Sequence, residues 1–434
     1  VPEPSVPRES PSGPVFEPKL GATLFAYRDF RLFLISMIAV TLASQMVGTA
    51  VAYQIYELTQ DPLALGMVGL AEALPFISLS LVGGHVADVY DRRRLAIAVL
   101  SLFVLSTLAL WALSHERAML SSRVLTWSIY GVIVLGGVCR SFLQPARAGL
   151  SAEIIPVALY ARAIAVRTSA FQLSMAVGPA LGGLLYASLG PDGVYLSASA
   201  LLAFSVWCMV RLSRRRAHAS ARRPALPVLS SVKEGAAFLF GDRLLLSVQL
   251  LDLFAVLFGG ASALLPVFAS DILKVGSSGF GVLRAAPAVG AVAASIILAL
   301  RPPLRRAGPA MLLAVAGYGL SNLAFALSRS YALSVLLLGL GGALDMVSVL
   351  VRSTLLQLRV PGHLLGRVSS INQIFIGSSN EIGAFESGVA AKLLGVVPSV
   401  LFGSGMTLLV TSVTAWISPE LRRLKQLESE AERE

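Results

Sequence analysis

Six ionisable residues stand inside long apolar runs, away from ready access to water: Glu72, Asp252, Arg284, Asp345, Glu381 and Glu386. A charged side chain is costly in an apolar medium, so charges in such places pair, bind a ligand or exchange a proton. A second group sits at a seam between two apolar runs. In LVGGHVADVYDRRRLAIAVL, Leu81 to Leu100, Gly84 is followed by Asp88 and then by Arg92 and Arg93. Gly84 permits close approach of a neighbouring helix, Asp88 can accept hydrogen bonds from backbone or arginine donors, and Arg92 to Arg94 can hold a helix end at the lipid surface. A loop that only marks topology explains the arginines but not Gly84 and Asp88 in front of them.

The elements that must position these residues are membrane helices. The chain has 434 residues, 56% hydrophobic and only 14% charged, against roughly 25% charged in an ordinary soluble domain. That excludes a soluble enzyme of this length. Apolar runs of about 20 residues, long enough for a hydrocarbon core of about 30 Å, recur along the sequence. In lipid only helices and closed barrels satisfy the backbone, and period-2 alternation is missing, so the expected class is all-α. Pro, Gly and charge punctuation predicts twelve spans, at 31–55, 66–84, 95–114, 124–146, 163–188, 193–212, 243–270, 278–299, 308–328, 331–354, 367–392 and 398–418.

The organisation predicted from this is a disordered Pro-rich tail over 1–25 and a six-helix bundle over 26–212. A basic linker over 213–242, a second six-helix bundle over 243–418 and a charged tail over 419–434 complete it. The opening VPEPSVPRESPSGPVFEPKL has no apolar signal core, so the first span is expected to act as an uncleaved anchor. All but six of the 35 Lys and Arg fall on one side; Arg117, Arg123, Lys274, Arg329 and Lys392 fall on the other and Arg284 lies within a span. By the positive-inside rule both termini and the Asp88 loop are expected in the cytoplasm. The net charge of +11 is scattered through short loops and marks topology beside anionic lipid rather than nucleic-acid binding.

The two halves repeat. With a shift of 212 positions Gly48 meets Gly260, Gly69 meets Gly281 and Pro75 meets Pro287; with a shift of 205, Pro156 meets Pro361 and Gly183 meets Gly388. Two parallel six-span repeats place a binding site at the midplane between bundles. Cys139 and Cys208 lie in apolar runs and the four histidines show no ligand spacing, so neither a disulfide, a metal nor a cofactor is expected. Walker loop, zinc-binding helix and nucleophile elbow are all missing from the sequence. An ion gradient or the cargo's own gradient must supply the energy.

The Gly84 to Arg94 stretch resembles the cytoplasmic loop signature of the major facilitator superfamily, with Asp91 where many members have a second glycine. YQIYELTQDPLALGMVGLAEALPF, LLQLRVPGHLLGRVSSIN, SVKEGAAFLFGDRLLL, PVFASDIL and GFGVLRAAPAVGA are similar to its enterobactin exporter branch. In the fifth span Gly178, Pro179, Gly182 and Gly183 resemble the core of the superfamily's antiporter motif, with Ala165 and Ser174 in place of its earlier glycines. Physically, Pro179 permits a kink and the glycines a close helix contact. The resemblance implies two pseudo-symmetric six-helix bundles, alternating access, and seventh and tenth helices that line the cavity.

Asp252 and Asp345 fall on those two helices at similar estimated depth, and two readings fit them: a proton-coupling pair, or structural carboxylates each satisfied by an arginine or helix terminus. Glu72 and Arg284 occupy equivalent repeat positions with opposite charge, and Glu386 lies near the depth of Arg284, where the two could pair. Glu381 is a further coupling candidate. Arg140 and Arg352 suit either an anionic cargo or lipid phosphate, the latter preferred. The expected function is a monomeric inner-membrane exporter of a small amphipathic molecule, siderophore or drug-like, coupled to protons. A broad multidrug carrier and a transport-inactive sensor are the alternatives.

Overall fold

Capping and turn chemistry set the helix ends in the computed structural model, which describes residues 24–155, 159–213, 228–259, 261–300 and 306–425. Helix α1, Arg28–Thr59, stops at Gln60, whose φ of 50° is left-handed. The Asp61 side chain then accepts the Leu63 amide at 3.0 Å to start α2, Pro62–Val89, with Pro62 in the first turn. Asp91 starts α3, Arg92–His115, by accepting the Arg94 amide at 2.8 Å. Asp91 is therefore a helix cap, where the signature's glycine would leave the α3 amides without one.

Ser121 caps α4, Ser122–Ile154. Helix α5, Tyr160–Arg211, contains Gly190 at φ 67° and ψ −175°, a conformation essentially reserved to glycine, followed by Pro191. The chain turns there, and α5 carries the fifth and sixth crossings. Helix α6, Val228–Gly241, occupies the second half of the expected linker. Asp242 caps α7, Arg243–Phe258, through the Leu244 and Leu245 amides. Helix α8, Ala261–Val267, runs into a π-helical turn over Phe268–Ile272, and with α7 these pieces make one crossing. The remaining helices are α9, Gly276–Ala299; α10, Ala307–Leu327; α11, Tyr331–Arg359; α12, Gly362–Leu394; α13, Val396–Ile417; and the short α14, Pro419–Arg423.

Ten of the described helices or helix runs are long and apolar enough to cross a bilayer. Two crossings separate that number from twelve. One is the second limb of α5 beyond Gly190, and the other is α12, whose Asn380, Glu381 and Glu386 make it polar for a spanning helix. The chain is thus an all-α, polytopic membrane protein of two six-helix bundles, as expected. Residues 1–23, 156–158, the first half of the linker (214–227), Gly260, 301–305 and 426–434 lie outside the described residues.

Twelve crossings bring residues 28 and 425 to one end of the molecule, here the near end. At the far end one apolar core is shared by both bundles: Met46, Tyr53, Leu125 and Tyr195 pack in the same cluster as Leu264, Phe268, Phe280 and Phe325. Toward the near end the core divides. Phe30, Phe33, Leu143 and Leu202 form one cluster in the N-terminal bundle, while Leu244, Met311, Val351 and Leu355 form another in the C-terminal bundle. Far-end polar contacts reinforce the joined half, with Lys392 Nζ donating to Asp61 Oδ2 at 2.7 Å and the Tyr56 hydroxyl donating to Asp271 in the π-helical turn.

Glycines set how closely the bundles meet. A Cβ on Gly183 would stand 2.4 Å from the Ser277 carbonyl oxygen and 2.7 Å from the Gly281 Cα, so α5 and α9 pack backbone to backbone. A Cβ on Gly66 would stand 3.1 Å from the Gly388 Cα, which joins α2 to α12 in the same way. Small residues at such crossings gain van der Waals contact that larger ones prevent.

Candidate functional site

The site lies where α2, α4, α9 and α12 converge at the seam between the bundles. Two glycines bring its charges together. On α2, a Cβ on Gly69 would stand 2.9 Å from the Glu381 carbonyl oxygen, and Glu72 follows one turn later. On α4, a Cβ on Gly137 would stand 2.7 Å from the Glu72 carbonyl oxygen and 2.6 Å from the Pro75 ring, and Arg140 follows one turn later. One helical turn returns a side chain to the same face, so these approaches deliver Glu72, Arg140 and Glu381 to one point.

There the Arg140 guanidinium is ion-paired with Glu72 of its own bundle and donates to Glu381 Oε1 of the other at 3.2 Å. It also lies over the Phe76 ring, 5.2 Å from the centroid, a favourable place for a cation. From α9, Arg284 donates to the Gly48 carbonyl at 2.9 Å, in space that a side chain at Gly48 would fill, and its charge acts on both Glu72 and Glu381. Two acids and two arginines balance. The N-terminal bundle contributes Glu72 and Arg140, the C-terminal bundle Arg284 and Glu381, so each remains neutral if the seam parts.

Four expectations change here. Arg140 is in mid-helix and engaged by carboxylates rather than reaching lipid phosphate. Arg284 does not pair with Glu386, whose carboxylate instead accepts from the Ser387 hydroxyl at 3.3 Å. Arg352, the other arginine assigned to lipid phosphate, is buried and ion-paired with Asp252 between α11 and α7. Asp252 thus has the structural reading, a carboxylate satisfied by an arginine. Asp345 stands two turns, about 10 Å of helix rise, from Arg352, half-buried and within electrostatic reach of the Tyr318 hydroxyl. The expected Asp252 with Asp345 pair gives way because α11 presents Arg352, not Asp345, to Asp252.

At the near end, Arg92 ties three elements together: its guanidinium donates to Asp88 at 3.3 Å, to Glu153 of α4 at 2.8 Å and to the Ala87 carbonyl at 3.2 Å. Its side chain lies over Gly149, where a Cβ would stand 2.5 Å from Nε. Arg93 reaches the C-terminal end of α5, donating to the Met209 carbonyl at 3.0 Å, where a cation also offsets the helix dipole. The close helix approach assigned to Gly84 belongs to Gly83. A Cβ on Gly83 would stand 2.2 Å from the Ser141 carbonyl, whereas one on Gly84 would meet nothing within 4 Å. Pro145, lacking an N–H, leaves that Ser141 carbonyl without its helical donor.

The antiporter-like segment divides its glycines between two neighbours. Gly178 and Gly182 pack on α1, with Cβ positions 2.6 Å from the Gln45 Cβ and 3.0 Å from the Met46 Cα, while Gly183 faces α9. The Pro179 carbonyl in turn lies 2.6 Å from a Cβ placed on Gly281.

Two six-helix bundles with balanced charges at their seam define a membrane carrier. The family model described as transmembrane secretion effector matches residues 22–434, and the chain belongs to that family of the major facilitator superfamily, whose members are transporters rather than enzymes. It is similar to the enterobactin exporter EntS of Escherichia coli O81 (strain ED1a), 26% identical over 393 residues that cover 88% of this chain and 89% of that one. Among solved structures it superposes on a POT family transporter in complex with thioalcohol conjugated peptide, with TM-score 0.70, 13% identity, and 91% and 96% of the two chains covered. A bacterial homologue of the iron transporter ferroportin in an inward-facing state gives TM-score 0.69 at 13% identity, covering 92% of this chain and 100% of that one.

Proposed function

We propose that the chain exports a small amphipathic molecule by alternating access, driven by proton antiport across the inner membrane, with both termini cytoplasmic. The observation that carries this reading is the Arg140 to Glu381 contact, an ion pair made between bundles whose apolar core is joined at the far end and divided at the near end. With the near end cytoplasmic by the positive-inside rule, this is the inward-facing state.

In this reading cargo enters between the two near-end cores and competes for Arg140. Loss of the Arg140 to Glu381 contact frees the bundles to part at the far end, each keeping its own acid and arginine. A proton taken from the outside by Glu381 removes its claim on Arg140 during the return. Re-forming the ion pair expels that proton on the cytoplasmic side. The similarity to an enterobactin exporter supports a siderophore as cargo, with other bulky amphipathic molecules suiting the same apolar walls. Everted vesicles loaded through this protein should accumulate cargo under an inward-acid gradient and stop on addition of an uncoupler. Accumulation that ignores the uncoupler would overturn proton antiport.

A further inference from the structure

Two arginines near the cytoplasmic mouth take no part in the seam. Arg147 lies on α4 one heptad beyond Arg140, and so on the same side of that helix. Arg167, from the first limb of α5, donates to the Ser151 hydroxyl of α4 at 2.7 Å, and Ser151 is one turn beyond Arg147 on the same face. The Arg167 guanidinium also lies over the buried Phe33 ring at 5.6 Å. It is held from two sides, yet its Nε is buried with no hydrogen-bond partner among the described residues. The two positive charges act on each other unfavourably. Neither has a carboxylate partner among the described residues.

The geometry points to an anion-binding site formed by Arg147 and Arg167, which takes a carboxylate, sulfonate or phosphate group between α4 and α5 on the near-end side of Arg140. A buried donor left without an acceptor is costly, and so are two like charges within electrostatic reach of each other; one anion relieves both. An aromatic wall at Phe33 suits an anion carried on an apolar body. Where the transport reading holds, this site sets the cargo class as anionic amphipaths, received one heptad below the arginine they must reach next.

The full chain in phosphatidylcholine nanodiscs is titrated calorimetrically with naphthalene-2-carboxylate and with its neutral isostere naphthalene-2-carboxamide, so the result does not depend on transport. The carboxylate should bind about tenfold more tightly, the difference expected of one charge-assisted hydrogen bond. Arg147→Gln with Arg167→Gln should abolish that preference, and Arg147→Lys, which keeps the charge and most of the volume, should retain part of it. Competition by short-chain phosphatidylglycerol, with the same lipid retained by the wild type and lost from the double variant in native mass spectrometry, would make a lipid headgroup the natural source of the anion. Binding without such competition would make it a soluble anion. Equal affinities for carboxylate and carboxamide, with no retained anionic lipid, would overturn the site.

Discussion

Glu381 of the C-terminal bundle and Arg140 of the N-terminal bundle meet at 3.2 Å, while the same guanidinium holds Glu72 within its own bundle. One arginine is thereby shared between a partner in its own bundle and one that, in the proposed cycle, leaves it. A contact of this kind is cheaper to break because Arg140 keeps Glu72, and Glu381 stays within electrostatic reach of Arg284 in its own bundle. If it couples the proton, Glu381→Gln should leave the protein folded and reduce gradient-driven accumulation by about tenfold, the equivalent of one charge-assisted hydrogen bond. Vesicle uptake at fixed gradient, with melting temperature as the control, checks it.

Asp252 and Asp345 should behave differently from each other. Asp252 and Arg352 have side chains only 7% and 6% exposed, and removing one partner of a buried pair costs about 3–5 kcal/mol. Asp252→Asn should therefore express poorly and melt early, and Asp252→Leu combined with Arg352→Met should restore much of that loss. Asp345→Asn, with no ion pair to break, should melt within a few degrees of the wild type. Melting curves of the three variants against the wild type decide the matter.

Neighbouring glycines at the near end of α2 offer a sharp contrast. Gly83→Ala drives a methyl into the Ser141 carbonyl and should cost about 1–3 kcal/mol as α2 and α4 separate. Gly84→Ala meets open space and should change stability by less than about 0.5 kcal/mol. Equal effects on thermal stability would contradict the assignment of the close approach to Gly83.

Gly183→Leu should force α5 from α9 at the far end and favour the state open on that side. Reaction of a Ser277→Cys reporter with a membrane-impermeant maleimide should rise severalfold in that background. The native Cys139 and Cys208 are buried and should stay silent.

Arg92 is bound to Glu153 as well as to Asp88, and the Asp88 side chain is 77% exposed. Asp88→Asn should then leave the fold intact while lowering transport, because Asp88 remains available to a partner in another state. Glu153→Gln should instead lower thermal stability by loosening α3 from α4. Normal transport by Asp88→Asn would show that transport does not depend on Asp88.

Much of the plan was legible in the linear chain because bilayer physics leaves few choices. Twelve crossings follow from apolar run length, and the duplication into two bundles from the repeated Gly and Pro positions, whereas the caps at Asp61, Asp91 and Asp242 and the turn at Gly190 emerge only in the structure. The sequence also singled out Glu72, Arg284, Glu381 and the Gly178 to Gly183 segment as sites of interest. It could not assign partners. Whether Arg284 meets Glu386 or the Gly48 carbonyl, and whether Asp252 meets Asp345 or Arg352, depends on helix rotation and on depth to within a turn. Run boundaries carry no such information. Gly69, Gly137 and Gly83 decide that register through backbone approach, and a glycine in a membrane helix looks the same in sequence whether it faces lipid or another backbone. Arg147 and Arg167 do not stand out in the sequence for the related reason that an arginine near a helix end reads as a lipid anchor. Only the tertiary structure places Ser151 and Phe33 around Arg167 and, among the described residues, pairs neither arginine with a carboxylate.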